Sequence, residues 1–428
     1  MTVTLYRAEL LSVPQDPVDA GPAAILHHAD GLLAVADGHV VAFGAWDELS
    51  PRFADAEIVD LSGKLIVPGF VDAHVHYPQT DRIAAHGEQL LEWLDRHIFP
   101  AEAAFTDKAH GDEVAAFFLD ELLRNGTTTA LVFGTVHAVS VDALFEAALA
   151  RNMRLIAGKV LMDLGPEDLR DTVAQGRADT EKLIARWHGK GRLGYAVTPR
   201  FALTSSDAQL ADAGKLLAEN PGVLLHTHLS ENLGEVAAVA ARFTDESDYL
   251  AVYDRFGLVG RQSVFAHGIH LDDRALARMG EAGSGIAFCP TSNLFLGSGL
   301  FDLARADAHA VRTGIGTDVG AGTSFSILST LGEAYKVCRM RGCSLDPFRA
   351  LHLATAGGAT MLGLGDRIGG LQPGQEADFV VLDSAATPLL ARRTAGQPLH
   401  DRLFALQMLG DDRAIAHTYV AGRCVHSR

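Results

Sequence analysis

Short apolar runs recur through the middle of the chain, each ending in a polar or special residue and followed by a longer stretch of helical periodicity. The runs lie at 65–71, 128–133, 155–161, 194–197, 223–225, 263–266, 285–288 and 311–316, eight in all. Between them the spacing turns helical: Val114, Phe117, Phe118 and Leu122 precede Asn125-Gly126, a helix-stop signal, and Thr204-Ser205-Ser206-Asp207 is rich in N-cap candidates. Eight strands alternating with helices predict an α/β chain built on a (β/α)8, TIM-like barrel over residues 68–370.

The two ends have a different texture. Residues 31–44, 377–382 and 418–425 are strand-like and interrupted by turn residues, and neither end is long enough to bury a core alone. The expectation is that 1–67 and 371–428 pack together as one small β-sandwich domain beside the barrel.

In such a barrel the carboxyl ends of the strands share one mouth. The first run ends in His74-Val75-His76, and residues two apart on a strand point the same way, so both imidazoles aim at a common point. The fifth run ends in His226-Thr227-His228-Leu229-Ser230-Glu231-Asn232, the sixth in Ala266-His267-Gly268 and the eighth in Gly316-Thr317-Asp318. Imidazole nitrogens with one carboxylate suit a zinc ion that keeps a position open for water, although iron(II) or manganese accepts the same donors. His226 and His228 share parity, so spacing does not choose between them.

The bulk composition narrows the partners. In 428 residues, 36 Lys and Arg face 53 Asp and Glu, a net charge of −17 that disfavours nucleic acid and anionic membranes while permitting a neutral small molecule. The four cysteines, Cys289, Cys338, Cys343 and Cys424, have no zinc or thiol-exchange spacing. With no secretory leader and no apolar stretch of spanning length, the expected location is the cytoplasm.

The strand-end residues resemble the amidohydrolase superfamily, and within it the guanine deaminases. The resemblance is carried by Pro68-Gly69-Phe70-Val71-Asp72-Ala73-His74-Val75-His76, Leu90-Leu91-Glu92-Trp93-Leu94, Asn125-Gly126-Thr127-Thr128-Thr129, Thr198-Pro199-Arg200-Phe201, the His226–Asn232 stretch, Cys289-Pro290-Thr291-Ser292-Asn293 and Gly316-Thr317-Asp318. The Gly-rich 369–378 segment is similar to the superfamily's exit from the barrel. The resemblance implies one zinc (iron(II) being the alternative) on His74, His76, His228 and Asp318. It selects His228 over His226 because the matching histidine stands two residues before the serine. It further implies Glu231 as proton shuttle, His267 beside the attacking water, Asp318 as a proton acceptor, and Gln79, Arg200 and Phe201 as base-recognition residues. Binuclear relatives carry a modified lysine after the fourth strand, where this chain has Thr198-Pro199-Arg200-Phe201, which argues for a single metal.

The implied reaction is purine catabolism: zinc-activated water attacks C2 of guanine and releases ammonia and xanthine. Arginine only donates, so Arg200 suits the O6 or N7 acceptors of guanine and disfavours adenine, while Gln79 offers both a donor and an acceptor. The alternative is another mononuclear deaminase on the same scaffold, acting on a related purine, pterin or pyrimidine. Similar enzymes form homodimers, which is the expected assembly. Trp93 reads as packing, His137 as a loop residue and Cys289 as a small buried residue. The glycine-flanked 297–299 and 320–322 segments read as ordinary turns, since neither matches a phosphate-binding fingerprint.

Overall fold

The computed structural model describes residues 2–87 and 89–428. Its body is a ring of eight parallel strands: β1 (Phe70–His76), β2 (Thr127–Phe133), β3 (Arg154–Gly158), β4 (Leu193–Pro199), β5 (Leu224–Leu229), β6 (Ser263–His267), β7 (Gly285–Phe288) and β8 (Arg312–Ile315). They pair in chain order from β1 to β8. The ring closes just beyond β8, where Asp318 N–H donates to the His74 carbonyl and His76 N–H to the Val319 carbonyl, both at 2.9 Å. Gly316 permits that closure: a Cβ there would meet Cys289 Sγ at 2.9 Å and His74 Cβ at 3.0 Å.

The (β/α)8 expectation holds, with the fourth and eighth runs forming strands like the rest. The first run divides in two. Glu57–Pro68 belongs to the terminal sheet and β1 starts at Phe70. Pro68 has no N–H with which to continue a ladder, and Gly69 N–H turns to the Asp378 carbonyl at 2.9 Å. The helix Lys108–Arg124 buries Val114, Phe118 and Leu122 on an i, i+4 stripe, but Phe117 lies beside that stripe and is 55% exposed. Ser206 caps the helix Asp207–Glu219, accepting a bond from Gln209 N–H as expected of that serine-rich start.

The chain ends meet in one seven-stranded mixed sheet, in the order 423–427, 415–420, 379–382, 57–68, 3–12, 26–36 and 39–45. Glu57–Pro68 pairs parallel with Val3–Ser12 and antiparallel with Phe379–Leu382, so the middle of the sheet joins both termini. Alternation along the strand sorts its residues. Ile66 enters a core with Tyr6, Phe379 and Tyr419, whose rings lie 4.3–5.1 Å apart, whereas Leu65 and Val67 face the barrel's outer core. Arg154 and Arg192 at the foot of β3 and β4 pair with Glu376, and Arg192 also with Asp378. No helix among the described residues is long and apolar enough to cross a membrane.

Candidate metal centre and substrate cavity

A register shift within β1, between Asp72 and Val75 relative to β2, re-aims the end of that strand. Bulges do this at barrel rims. Ala73 packs in the barrel's lower core, while the His74 and His76 imidazoles meet over Phe133. Asp72 locks the arrangement from behind, accepting from the N–H of His74 and from both the N–H and hydroxyl of Thr317, the residue before Asp318.

His74 Nε2 lies 3.2 Å from His76 Nε2, which lies 3.2 Å from His228 Nε2. Asp318 Oδ1 is 3.1 Å from His74 Nε2 and 3.2 Å from His76 Nε2. A tetrahedral zinc with bonds of about 2.0–2.1 Å spaces its ligand atoms about 3.3 Å apart, so the donor set fits that ion. The second ring nitrogens support the fit. His228 Nδ1 donates to the Arg200 carbonyl at 2.7 Å, leaving Nε2 as a lone pair toward the centre. His74 Nδ1 is 2.7 Å from His226 Nε2. Burial pushes the His76 imidazole down to about 3, and burial likewise holds His74 and His228 below the usual histidine value, which favours the neutral rings that a metal can use. Burial alone would raise the Asp318 carboxyl, but the charge interaction and hydrogen bond with His74, together with the hydrogen bond with His76, hold it well below the usual carboxylate range.

Glu231 and His267 flank this centre. Glu231 Oε2 is 3.4 Å from His267 Nε2, and Asp318 Oδ2 is 3.8 Å from it. Burial pushes the Glu231 carboxyl well above the usual range, and the neighbouring Asp318 and Glu235 charges add to the rise. Ser230, His267 and Asp318 all take positive φ, a conformation costly for non-glycine residues and concentrated here at strand ends that present side chains to the mouth. The position of Glu231 is set by the start of the next helix. Asn232 and Glu235 form a capping box on Leu233–Arg242, and Glu235 accepts from the N–H of Glu231 at 2.8 Å.

The remaining wall combines hydrogen-bonding and apolar side chains. Gln79, Arg200 and Phe201 line a cavity that is also lined by His76, Glu231 and Asp318. Leu90, Trp93, Leu94 and Leu296 supply its apolar side, so Trp93 both packs and lines the cavity. Arg200 Nη1 donates to Glu102 Oε2 at 2.6 Å, and Gln79 Nε2 donates to Glu102 Oε1 at 3.1 Å.

Several partners of the site escaped the sequence reading. Glu102 looks like an ordinary helix-surface acid, and His226 like the unused half of a parity tie. Asn293 accepts from or aligns His267 through a 2.9 Å contact between Oδ1 and His267 Nδ1, a role that its motif alone does not specify. Phe133 lies 4.4–5.3 Å, centroid to centroid, from His74, His76, His226 and His228. The two glycine-flanked segments are more than turns: Ser298 Oγ donates to Glu231 Oε1 at 3.4 Å, and Gly320 N–H donates to Gln79 Oε1 at 3.4 Å. A sequence reading that placed these segments after β7 and β8, at the mouth, had the signal to find them. His137 follows β2, and Lys159 is spent on an ion pair with Asp171. Cys289 is fully buried and burial pushes its thiol up, consistent with a packing role.

A parallel barrel with a buried His3Asp set and a carboxylic acid at its mouth defines a metal-dependent hydrolase. The sequence profile of the amidohydrolase family matches residues 65–425, and the chain belongs to that family. It is 53% identical to the guanine deaminase of Escherichia coli (strain K12), covering 100% of this chain and 98% of that protein. It also superposes on the solved E. coli guanine deaminase with a TM-score of 0.97 at 50% identity, covering 99% and 100% of the two chains. The guanine deaminase of C. acetobutylicum, solved with guanine in its active site, matches with a TM-score of 0.91 at 26% identity over 99% and 100%.

Proposed function

We propose that the chain is a guanine deaminase: guanine and water become xanthine and ammonia. One observation carries this reading. A donor-bearing wall, Arg200 with Gln79, shares a single cavity with the His3Asp centre and Glu231, so a purine held by its oxygen-bearing edge lies beside the groups that move protons. The full-length likeness to the E. coli guanine deaminase and the guanine-bound relative supports the choice of base.

His74, His76, His228 and Asp318 hold the metal in this reading. A zinc ion there lowers the pKa of water from 15.7 to about 7, so that water attacks at neutral pH. Every other step belongs to side chains. Arg200 donates to O6 or N7, and Gln79 reads the neighbouring N1–H edge. Phe201, Leu90 and Trp93 exclude solvent from the ring faces. His267, aligned by Asn293, presents Nε2 to the attacking water. Asp318 takes the water's proton, and Glu231 delivers a proton to N3 as the C2–O bond forms, which prevents negative charge from building on the ring. A proton then passes to the amino group, the C2–N bond breaks and ammonia leaves.

Adenine carries an amino donor where guanine has O6, so it would leave Arg200 facing a donor. The discriminating experiment incubates metal-replete protein with guanine, adenine, cytosine and 8-oxoguanine and measures ammonia. Release from guanine alone or foremost is expected; none from guanine refutes the assignment and returns the second reading, a deaminase of another purine, pterin or pyrimidine. The four cysteines are all unpaired, which fits a reducing cytoplasm. The homodimer rests on the family resemblance, and light scattering of the purified protein tests it.

A further inference from the structure

We infer that Glu102 is a specificity-determining positioning residue: it fixes both recognition side chains and keeps their wall electrically neutral, so that a neutral base is accepted over an anionic one. The inference rests on the reading of Gln79 and Arg200 as base-recognition residues. Glu102 comes from the short helix Phe99–Ala103, outside every strand end, and is 1% exposed.

Its two oxygens are divided between two partners, Oε2 receiving Arg200 Nη1 at 2.6 Å and Oε1 receiving Gln79 Nε2 at 3.1 Å. Phe99 of the same helix lies under the Arg200 guanidinium, 5.2 Å from its ring centroid. One helix thus clamps the arginine by edge and by face.

A glutamine amide can turn over and exchange donor for acceptor at small cost, which would exchange what it reads. Here two neighbours dictate one orientation. An ionised Glu102 accepts only, so it requires Nε2, and the Gly320 N–H donates only, at 3.4 Å, so it requires Oε1. The Nε2 hydrogen and Oε1 lone pair left over therefore keep a fixed order along the cavity.

The charge argument is separate. The side chains of Arg200 and Glu102 are 3% and 2% exposed, and among the described residues Glu102 is the one hydrogen-bond and ion-pair partner of the Arg200 side chain. Without Glu102 the wall would carry an uncompensated buried cation, which attracts anions. Xanthine loses a proton more readily than guanine, so an intact Arg200–Glu102 pair disfavours the ionised product and helps it leave.

The test compares wild type with Glu102→Gln and Glu102→Asp as metal-loaded full-length enzymes. Inhibition constants are measured for hypoxanthine and xanthine at a pH where only xanthine is ionised. In Glu102→Gln the guanine KM and the hypoxanthine inhibition constant are expected to rise about tenfold or more, the scale of one charged hydrogen bond. kcat should stay within about threefold, and xanthine should bind as tightly as to wild type or tighter. Glu102→Asp, which keeps the charge on a shorter arm, should raise KM while retaining wild-type discrimination between the two inhibitors. Parallel weakening of both inhibitors in Glu102→Gln, or unchanged constants, overturns the inference, and so does a Glu102→Asp enzyme that loses the discrimination. If Arg200→Met also leaves the guanine KM untouched, the recognition wall itself is misread; if only the Glu102 variants are silent, that wall stands and this inference alone fails.

Discussion

Replacing Arg200 with methionine removes the guanidinium donors from the cavity wall, leaving those of Gln79, while keeping a long apolar side chain. Two costs follow from the geometry and they are separable. A hydrogen bond to a charged group is worth about 1.5–3 kcal/mol, so losing the contact to O6 or N7 should cost about that much transition-state binding. That is a fall in kcat/KM of roughly one to two powers of ten. The second cost is stability. Arg200 and Glu102 form a buried pair at 2.6 Å, and removing one partner of such a pair costs about 3–5 kcal/mol by leaving the other uncompensated. The double variant R200M/E102Q removes the orphaned charge, so it should recover most of the lost stability and none of the activity. Steady-state ammonia release, urea midpoints and metal content on the three proteins distinguish the two effects. R200M retaining kcat/KM within about fivefold of wild type, with metal bound, would refute the role given to this residue. A double variant that regains activity would refute the separation of recognition from stability.

Other consequences follow from the same geometry. Glu231→Gln keeps the carboxamide near its bonds to Ser298 and His267 but has no acid proton, so kcat should fall by about 10²–10⁴ with metal content unchanged in elemental analysis. Loss of metal together with activity would instead place Glu231 among the ligands. At the junction of barrel and terminal sheet, burial works against ionisation of Glu376, but Arg154 and Arg192 outweigh it and hold the carboxyl below its usual value. A carboxyl depressed in the folded state stabilises above its unfolded value, about pH 4.3, and that stabilisation is lost as pH falls through the folded value. Glu376→Gln should therefore lower stability by about 3 kcal/mol at pH 7 and flatten the acid side of the stability profile, read by denaturant melts; identical profiles would contradict it.

The strand ends were legible because their chemistry is local. His74 and His76 are two residues apart, and the apolar run before them marks the strand, so the ligand set could be sought at the ends of later runs. The division of 65–71 into two strands was less visible, since Pro68-Gly69 reads as a turn whether or not the sheet changes there. Phe117 misled because its neighbours Val114 and Phe118 carry the buried stripe, and one residue of phase decides the side. Glu102 is the instructive miss. It belongs to no motif and lies 98 residues from Arg200, so only the folded chain brings their charges together. His226 illustrates the same limit: parity put it level with His228, but its 2.7 Å contact behind His74 depends on β1 and β5 facing each other across the barrel.

The central claim is that four side chains hold one metal whose activated water replaces the C2 amino group of guanine. Its most direct measurement is a reaction of zinc-loaded protein with guanine in ¹⁸O-labelled water, with ammonia and the isotopic composition of the product followed together. Equal amounts of ammonia and xanthine are expected, with one labelled oxygen at C2 and loss of both products when the metal is stripped by a chelator, restored by adding zinc. Unlabelled xanthine, ammonia formed undiminished after chelation, or no ammonia from guanine at all would contradict it.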